Sequence, residues 1–210
     1  MATPAAPAGA DAAALLHQIA QEVAGCTRCA LAQGRACTVP GEGAPRARLM
    51  VVGEGPGAEE DRTGRPFVGA AGQLLDKILQ SGMGLRREEV FIANVVKCRP
   101  PGNRDPAPEE VAACSPFLER QIAAIRPDLI LALGRHAAHH LLGTDLSLQR
   151  LRGRLQTRPQ GGPPVLVTFH PAYLLRNPGA KKDCWQDIQV GMGFLGLKGP
   201  PDRNSGADRG

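Results

Sequence analysis

The chain has 210 residues, 42% of them hydrophobic, with 25 Lys and Arg against 20 Asp and Glu. That length suits one domain with a sizeable core, no apolar run approaches the roughly 20 residues of a membrane helix, and the net charge of +5 permits a polyanionic partner without demanding one. The Ala/Pro-rich start makes a poor secretory signal, so the sequence reads as cytoplasmic, and its six cysteines read as metal or redox groups rather than a disulfide framework.

Residues 1–10 read as a disordered leader and 198–210 as a disordered tail, both Gly/Pro-rich or polar, which leaves 11–197 as a single domain. Asp11 is placed to cap a helix over about 12–24, where Leu15, Leu16, Ile19 and Val23 share one face. Strand signals follow at 48–52, 90–96, 128–133 and 165–169, compact apolar runs of the kind a buried parallel sheet uses. Helical patterns fall between them at 69–80, 108–125 and 135–142, and a last helix covers about 181–196. Pro108 followed by two glutamates marks a helix start, and Pro116 is expected to kink or split that helix. The alternation predicts an α/β protein: a three-layer α/β/α sandwich around a central, mostly parallel four-stranded sheet. Ligands of such sheets sit beyond the carboxyl ends of the strands. The segments 53–69, 94–104 and 170–177 each follow a strand directly, which makes that edge the place to look for function.

The first of these segments, GEGPGAEEDRTGRPFVG, carries Gly53-x-Gly55-x-x-Ala58, with Asp76 near the spacing of a ribose-binding acid. A dinucleotide site needs the glycine turn to open into a helix whose N-terminus holds the pyrophosphate. Here Pro56 interrupts the turn, Glu59, Glu60 and Asp61 would repel phosphate, and Gly64 and Pro66 delay the predicted helix until about residue 69. The dinucleotide reading fails. Glu59 and Asp61 are expected on a solvated loop.

Cys26-Thr27-Arg28-Cys29 is a C-x-x-C pair, and Cys98 and Cys114 are separated by 15 residues. Four thiolates can close a tetrahedral zinc site or hold a cubane iron–sulfur cluster. Zinc ribbons use two C-x-x-C pairs, so the wider second spacing prefers iron–sulfur while leaving zinc open. Cys37 and Cys184 read as ordinary residues.

Taken in order, Cys26-x-x-Cys29, GEGPGAEED with GRPFVGAAGQLLD, NVVKCRPPGNRDP, Cys114 and HPAYLLRNP span about residues 22–180. Together they resemble the iron–sulfur (family 4) uracil-DNA glycosylases. The resemblance implies a uracil-DNA glycosylase-like fold and a base excision repair enzyme. Such an enzyme flips uracil out of single- or double-stranded DNA and hydrolyses its N-glycosidic bond. Free uracil and an abasic site result, with no lyase step. It also implies a 4Fe–4S cluster on Cys26, Cys29, Cys98 and Cys114 with a structural role, a monomer, and a cytoplasmic location associated with the nucleoid through DNA. A related iron–sulfur group carries a basic, His-containing insertion after the third cysteine; here no histidine lies between Cys98 and Cys114.

The same resemblance assigns the site. Phe67 would stack on the flipped base, Asn94 would read its edge, and His170 would donate to the oxygen that gains charge as the bond breaks. Glu54 would orient water and stabilise the cationic sugar. Gly55 lets the backbone approach, Glu60 would close the side near C5 against thymine, and Asn103 would support the pocket. Leu174 resembles the wedge that fills the vacated stack, while Arg99 and Arg176 would meet phosphates. Arg150, Arg152 and Arg154 alternate as if along one face of a strand. His136, His139 and His140 lie on a helix outside every motif. Two other readings stay open from the residues: a non-catalytic iron–sulfur DNA-binding or redox-sensing module, and a zinc-stabilised nucleotide-processing enzyme.

Overall fold

The computed structural model describes residues 9–199. The expected leader and tail lie outside the described residues, apart from Gly9 and Ala10, which are already helical, and Lys198 and Gly199. Helix α1 spans Gly9–Ala24, so Asp11 falls inside it instead of capping it.

Four parallel strands form the centre: β2 (Leu49–Gly53), β3 (Phe91–Asn94), β4 (Leu129–Leu133) and β6 (Val165–Thr168), every residue of them buried. Side chains alternate across a strand, so these unbroken apolar runs demand cover on both faces. Met50, Val52, Ala93, Ile130 and Val167 pack against α1, α4 (Pro108–Ile125) and α5 (Arg135–Leu142). Leu49, Val51, Ile92, Leu131 and Leu166 pack against the opposite layer, built from α3 (Ala70–Lys77), α7 (Pro171–Arg176) and α8 (Lys181–Leu195). Each such Val, Leu, Ile or Met side chain contributes about 1.5–3 kcal/mol on burial. The register is fixed by pairs such as Val51 with Ile92 and with Leu131.

The three-layer expectation holds, but the sheet has six strands in the order β1-β3-β2-β4-β6-β5. Its antiparallel edges, β1 (Glu42–Gly43) and β5 (Leu155–Gln156), are two residues each, too short for any periodic signal. Three further expectations change. The helix expected at 69–80 ends as α3 and continues as a π-helical turn over Ile78–Met83, closed by left-handed Gly84. Pro116 does not divide α4, which runs on through it. The Arg150–Arg154 stripe does not form, because Arg150 belongs to a short helix, α6 (Leu148–Leu151), while Arg152 turns inward. The Arg152 guanidinium meets Asp187 at 2.9 Å and lies over the Phe169 ring at 4.8 Å.

Candidate active site and four-cysteine site

Beyond β2, the Gly53–Gly57 turn is stitched to the segment after β3: Val95 N–H donates to the Gly53 carbonyl at 3.0 Å and Val96 N–H to that of Glu54 at 3.1 Å. β3 itself ends at Asn94 although the apolar run continues to Val96. The chain then forms a helix the sequence hid among Gly and Pro, α2 (Ala58–Thr63), ended by left-handed Gly64. The Glu60 carboxylate accepts from the backbone N–H groups of Gly57 (3.1 Å), Val68 (2.8 Å) and Gly69 (2.9 Å), so it clasps both ends of this excursion. Asp61, expected in solvent, is buried and accepts from the Ala36 N–H at 3.0 Å. Glu59 stays exposed beside Arg62, as expected.

Phe67 takes a left-handed backbone conformation (φ 51°), a strained state for a bulky residue that its surroundings must impose. Arg87 imposes it by donating to the Phe67 carbonyl at 3.1 Å and to that of Pro66. Its other contacts are Glu42 (2.8 Å) and Asp76 (2.9 Å), so the supposed ribose acid is spent on Arg87. Glycines admit the buried ring: a Cβ on Gly53 would stand 2.5 Å from both the Phe67 ring and Asn94 Oδ1, and one on Gly72 would stand 1.8 Å from the Phe67 carbonyl oxygen.

Asn94 closes β3 with 1% exposure, and its Oδ1 has no hydrogen-bond partner among the described residues. A buried amide oxygen without a partner is costly unless a ligand completes it. His170 caps the N-terminus of α7: its Nδ1 accepts from the Ala172 N–H at 3.1 Å. The ring therefore carries its proton on Nε2 when neutral. Burial, helped by the Arg176 charge and opposed by Glu60, pushes the His170 pKa down to about 4, so the neutral form prevails at physiological pH. The imidazole lies 5.6 Å from the Phe67 ring, centroid to centroid.

Glu54 faces these groups. Burial, reinforced by the Asp105 carboxylate and opposed by Arg135, raises its pKa to about 7. His136, outside every sequence motif, joins it: Nε2 lies 3.1 Å from Asp105 and 3.9 Å from Glu54. Burial lowers the His136 pKa despite the Asp105 charge. The clue lay in topology, because His136 starts the helix after β4 and so sits at the same carboxyl edge as the other motifs.

Glu54, Gly55, Glu60, Phe67, Asn94, Asn103, His136, His170 and Arg176 line one open cavity of about 570 Å³. Arg99 donates to Asn103 Oδ1 at 2.8 Å, and Asn103 is held in a left-handed conformation (φ 56°). Leu174 departs from its expected place. It is 1% exposed and packed in the core, whereas Tyr173 (41%) and Leu175 (45%) turn outward. A wedge must leave the surface, so Leu174 is withdrawn from that role; the four-residue step from His170 brings it back over the inner face of α7.

Cys26, Cys29, Cys98 and Cys114 line a second, enclosed space together with Arg28, Arg35, Lys97 and Phe117. All are free thiols. Arg35 donates to Cys98 Sγ at 3.3 Å and the Lys97 N–H to Cys114 Sγ at 3.2 Å. Burial pushes the Cys98 thiol up and that of Cys114 to about 11, values that only a bound metal or nearby cations would reverse. Among the described residues, Glu54, Asp105 and His136 form the group whose ligand atoms all lie within 4.8 Å of one another. Four thiols lining one space form a donor set that can hold a metal ion or a cluster. Cys184 lies in the opposite core layer, where it accepts from the Thr168 hydroxyl at 3.4 Å. Cys98→Ser is expected to lose the visible absorbance of a cluster and to unfold at lower temperature, read by absorbance and thermal melting; full retention of the band would remove Cys98 from the ligand set.

The sequence profile of the uracil DNA glycosylase superfamily matches residues 40–189. Among curated proteins, the chain is 46% identical over 180 residues to a type-4 uracil-DNA glycosylase of Sulfurisphaera tokodaii, covering 83% of this chain and 82% of that one. It is 47% identical over 188 residues to the type-4 enzyme of Thermotoga maritima, covering 88% and 97%. A type-5 uracil-DNA glycosylase of Thermus thermophilus matches at 35% over 150 residues, covering 63% and 68%. The pocket at the carboxyl edge, the four-cysteine site, the motif order and these likenesses agree: the chain belongs to the uracil DNA glycosylase superfamily, among its type-4 members.

Proposed function

We propose that this protein removes uracil from DNA by hydrolysing the N-glycosidic bond, leaving an abasic site as the first step of base excision repair. One observation carries the reading to the level of chemistry: the buried, unpartnered Asn94 Oδ1 beside the Phe67 ring and the neutral His170 imidazole. Uracil presents N3–H and O4 side by side. An amide accepts from the first while donating to the second, and cytosine reverses both groups. A site that would leave buried polar atoms unpaired rejects the wrong base strongly.

With the base on Phe67, the C1′–N1 bond breaks and its electron pair passes onto the uracil ring. His170 Nε2–H donates to the oxygen where that charge collects, and a neutral donor does so without transferring its proton. Glu54 as carboxylate stabilises the oxocarbenium sugar and accepts a proton from the water that attacks C1′. The Glu60 clasp holds Phe67 against the base and presents its carboxyl near C5, where a thymine methyl would clash. Gly55 admits the close approach of the backbone, since a Cβ there would already stand 2.8 Å from Val96. Arg176 at the rim and Arg99, braced with Asn103, contact phosphates.

The donor set Cys26, Cys29, Cys98 and Cys114 fits a 4Fe–4S cluster, which would supply a covalent cross-link between the end of α1, the segment after β3 and α4. Glycosidic hydrolysis needs no electron transfer, so these cysteines act structurally. We read residues 11–197 as one glycosylase domain, a monomer in the cytoplasm that reaches the nucleoid through uracil-containing DNA. No helix of the described residues is long and apolar enough to cross a membrane.

The reading is tested by single-turnover incubation with an end-labelled oligonucleotide holding one uracil, with thymine and cytosine controls, followed by hot alkali. Cleavage at uracil alone supports it. Intact DNA from a sample with a confirmed cluster would favour a binding or sensing module.

The pH profile follows from Glu54. The carboxylate is the active form and its pKa is raised to about 7, so the single-turnover rate is expected to climb through neutrality and level off above it. Asp105→Asn removes a like charge and should move that inflection to lower pH, making the variant faster than wild type near pH 6. An unmoved inflection would detach Glu54 from the rate.

A further inference from the structure

Lys97 lies between the two pockets and belongs to neither set of expected residues. It is 1% exposed, among the largest fully buried side chains of the protein. Its ammonium donates to the Asn94 carbonyl at 2.8 Å and to Gln121 Oε1 at 2.7 Å, and Gln121 in turn donates to the Pro40 carbonyl at 2.7 Å. Its backbone N–H donates to Cys114 Sγ, and Lys97 is among the residues that line the four-cysteine space. Both oxygens that receive the ammonium are neutral. A buried cation among neutral partners is expensive unless an anion lies close by, and Cys114 is the acidic group whose charge acts on it. Any group held by four thiolates brings that negative charge with it.

We propose that Lys97 is a positioning residue that joins the four-cysteine site to base recognition: its ammonium takes the cysteine-held group as counter-ion and fixes the Asn94 backbone, so that the Asn94 side chain meets the uracil edge. This deepens the glycosylase reading and rests on it. The cysteines then matter to chemistry on the far side of the segment they anchor. Loss of the cysteine-held group would free the ammonium to rearrange and would loosen the base reader from behind the pocket.

Lys97→Met keeps the apolar stem and removes the charge and the donors. We expect it to fold, by circular dichroism, and to excise uracil at least about tenfold more slowly under single-turnover conditions, with binding of uracil DNA little changed. Its visible cluster band should also bleach faster than wild type in the presence of a chelator. The decisive measurement is a double-mutant cycle: Lys97→Met added to Asn94→Ala should slow excision no further than Asn94→Ala alone. Losses that multiply, or a Lys97→Met enzyme as fast as wild type, would overturn the link; altered excision with unchanged bleaching would overturn its counter-ion half. Should Lys97→Met fail to fold, Gln121→Leu withdraws the second anchor and enters the same cycle with the same expected sign. Failure of the wild-type protein itself to excise uracil is a separate result that would remove the underlying reading.

Discussion

Asn94→Asp is expected to lower the single-turnover rate of uracil excision by about 10³-fold or more. The residue ends β3 at 1% exposure, and Gly53 leaves its side chain no slack, since a single added Cβ would stand 2.5 Å from Oδ1. The substitution is nearly isosteric, so the packing around Phe67 and the cysteine site should survive. What changes is the donor: the amide N–H that met O4 becomes an acceptor, and two lone pairs oppose one another at a side chain buried from water. The buried polar atoms of uracil then go unsatisfied, at a cost larger than the net worth of the bond they replaced. Circular dichroism and the visible absorbance of the cluster should match wild type. A loss below tenfold with an intact fold would mean that Asn94 does not read the base.

How much of this was legible in the sequence depended on the length of each signal. The four central strands were readable because a strand buried on both faces is apolar at every position, as in Leu49–Val52 and Leu129–Leu133. Edge strands of two residues carry no pattern, and the Gly- and Pro-flanked α2 looked like loop because its caps dominate its six residues. Leu174 was misplaced for a related reason. A helix of one and a half turns has no periodicity to set its phase, so only the fold reveals that Leu174 faces the core while Tyr173 and Leu175 face outward. Phe67, Asn94, Glu54 and His170, drawn from separate motifs, line one cavity. The sequence assigns no role to His136 or Lys97 because nothing local distinguishes a histidine at a helix start, or a lysine after an apolar run, from solvated ones. Their significance is long-range: His136 reaches Asp105 and Glu54 across loops, and Lys97 reaches Gln121 on α4.

His170→Ala should cost about 10²–10³-fold in the rate of bond breaking and much less in DNA binding, because its hydrogen bond strengthens only as charge reaches the uracil oxygen. The tautomer makes the argument specific. With Nδ1 engaged by the Ala172 N–H, the free proton stands on Nε2, and with a pKa of about 4 the ring stays neutral wherever the enzyme works. A cation would attract the leaving group more strongly, but it would need a proton that burial and Arg176 make expensive. Two measurements separate this role from a structural one. The pH profile of the wild type should show no inflection from His170 between pH 5 and 8, while the Glu54 rise near 7 remains. His170→Gln, which can still donate, should recover part of what His170→Ala loses. Should both variants lose binding and rate in equal proportion, His170 would be reduced to the cap of α7, and the charge on the departing base would have to be met by another group in the cavity.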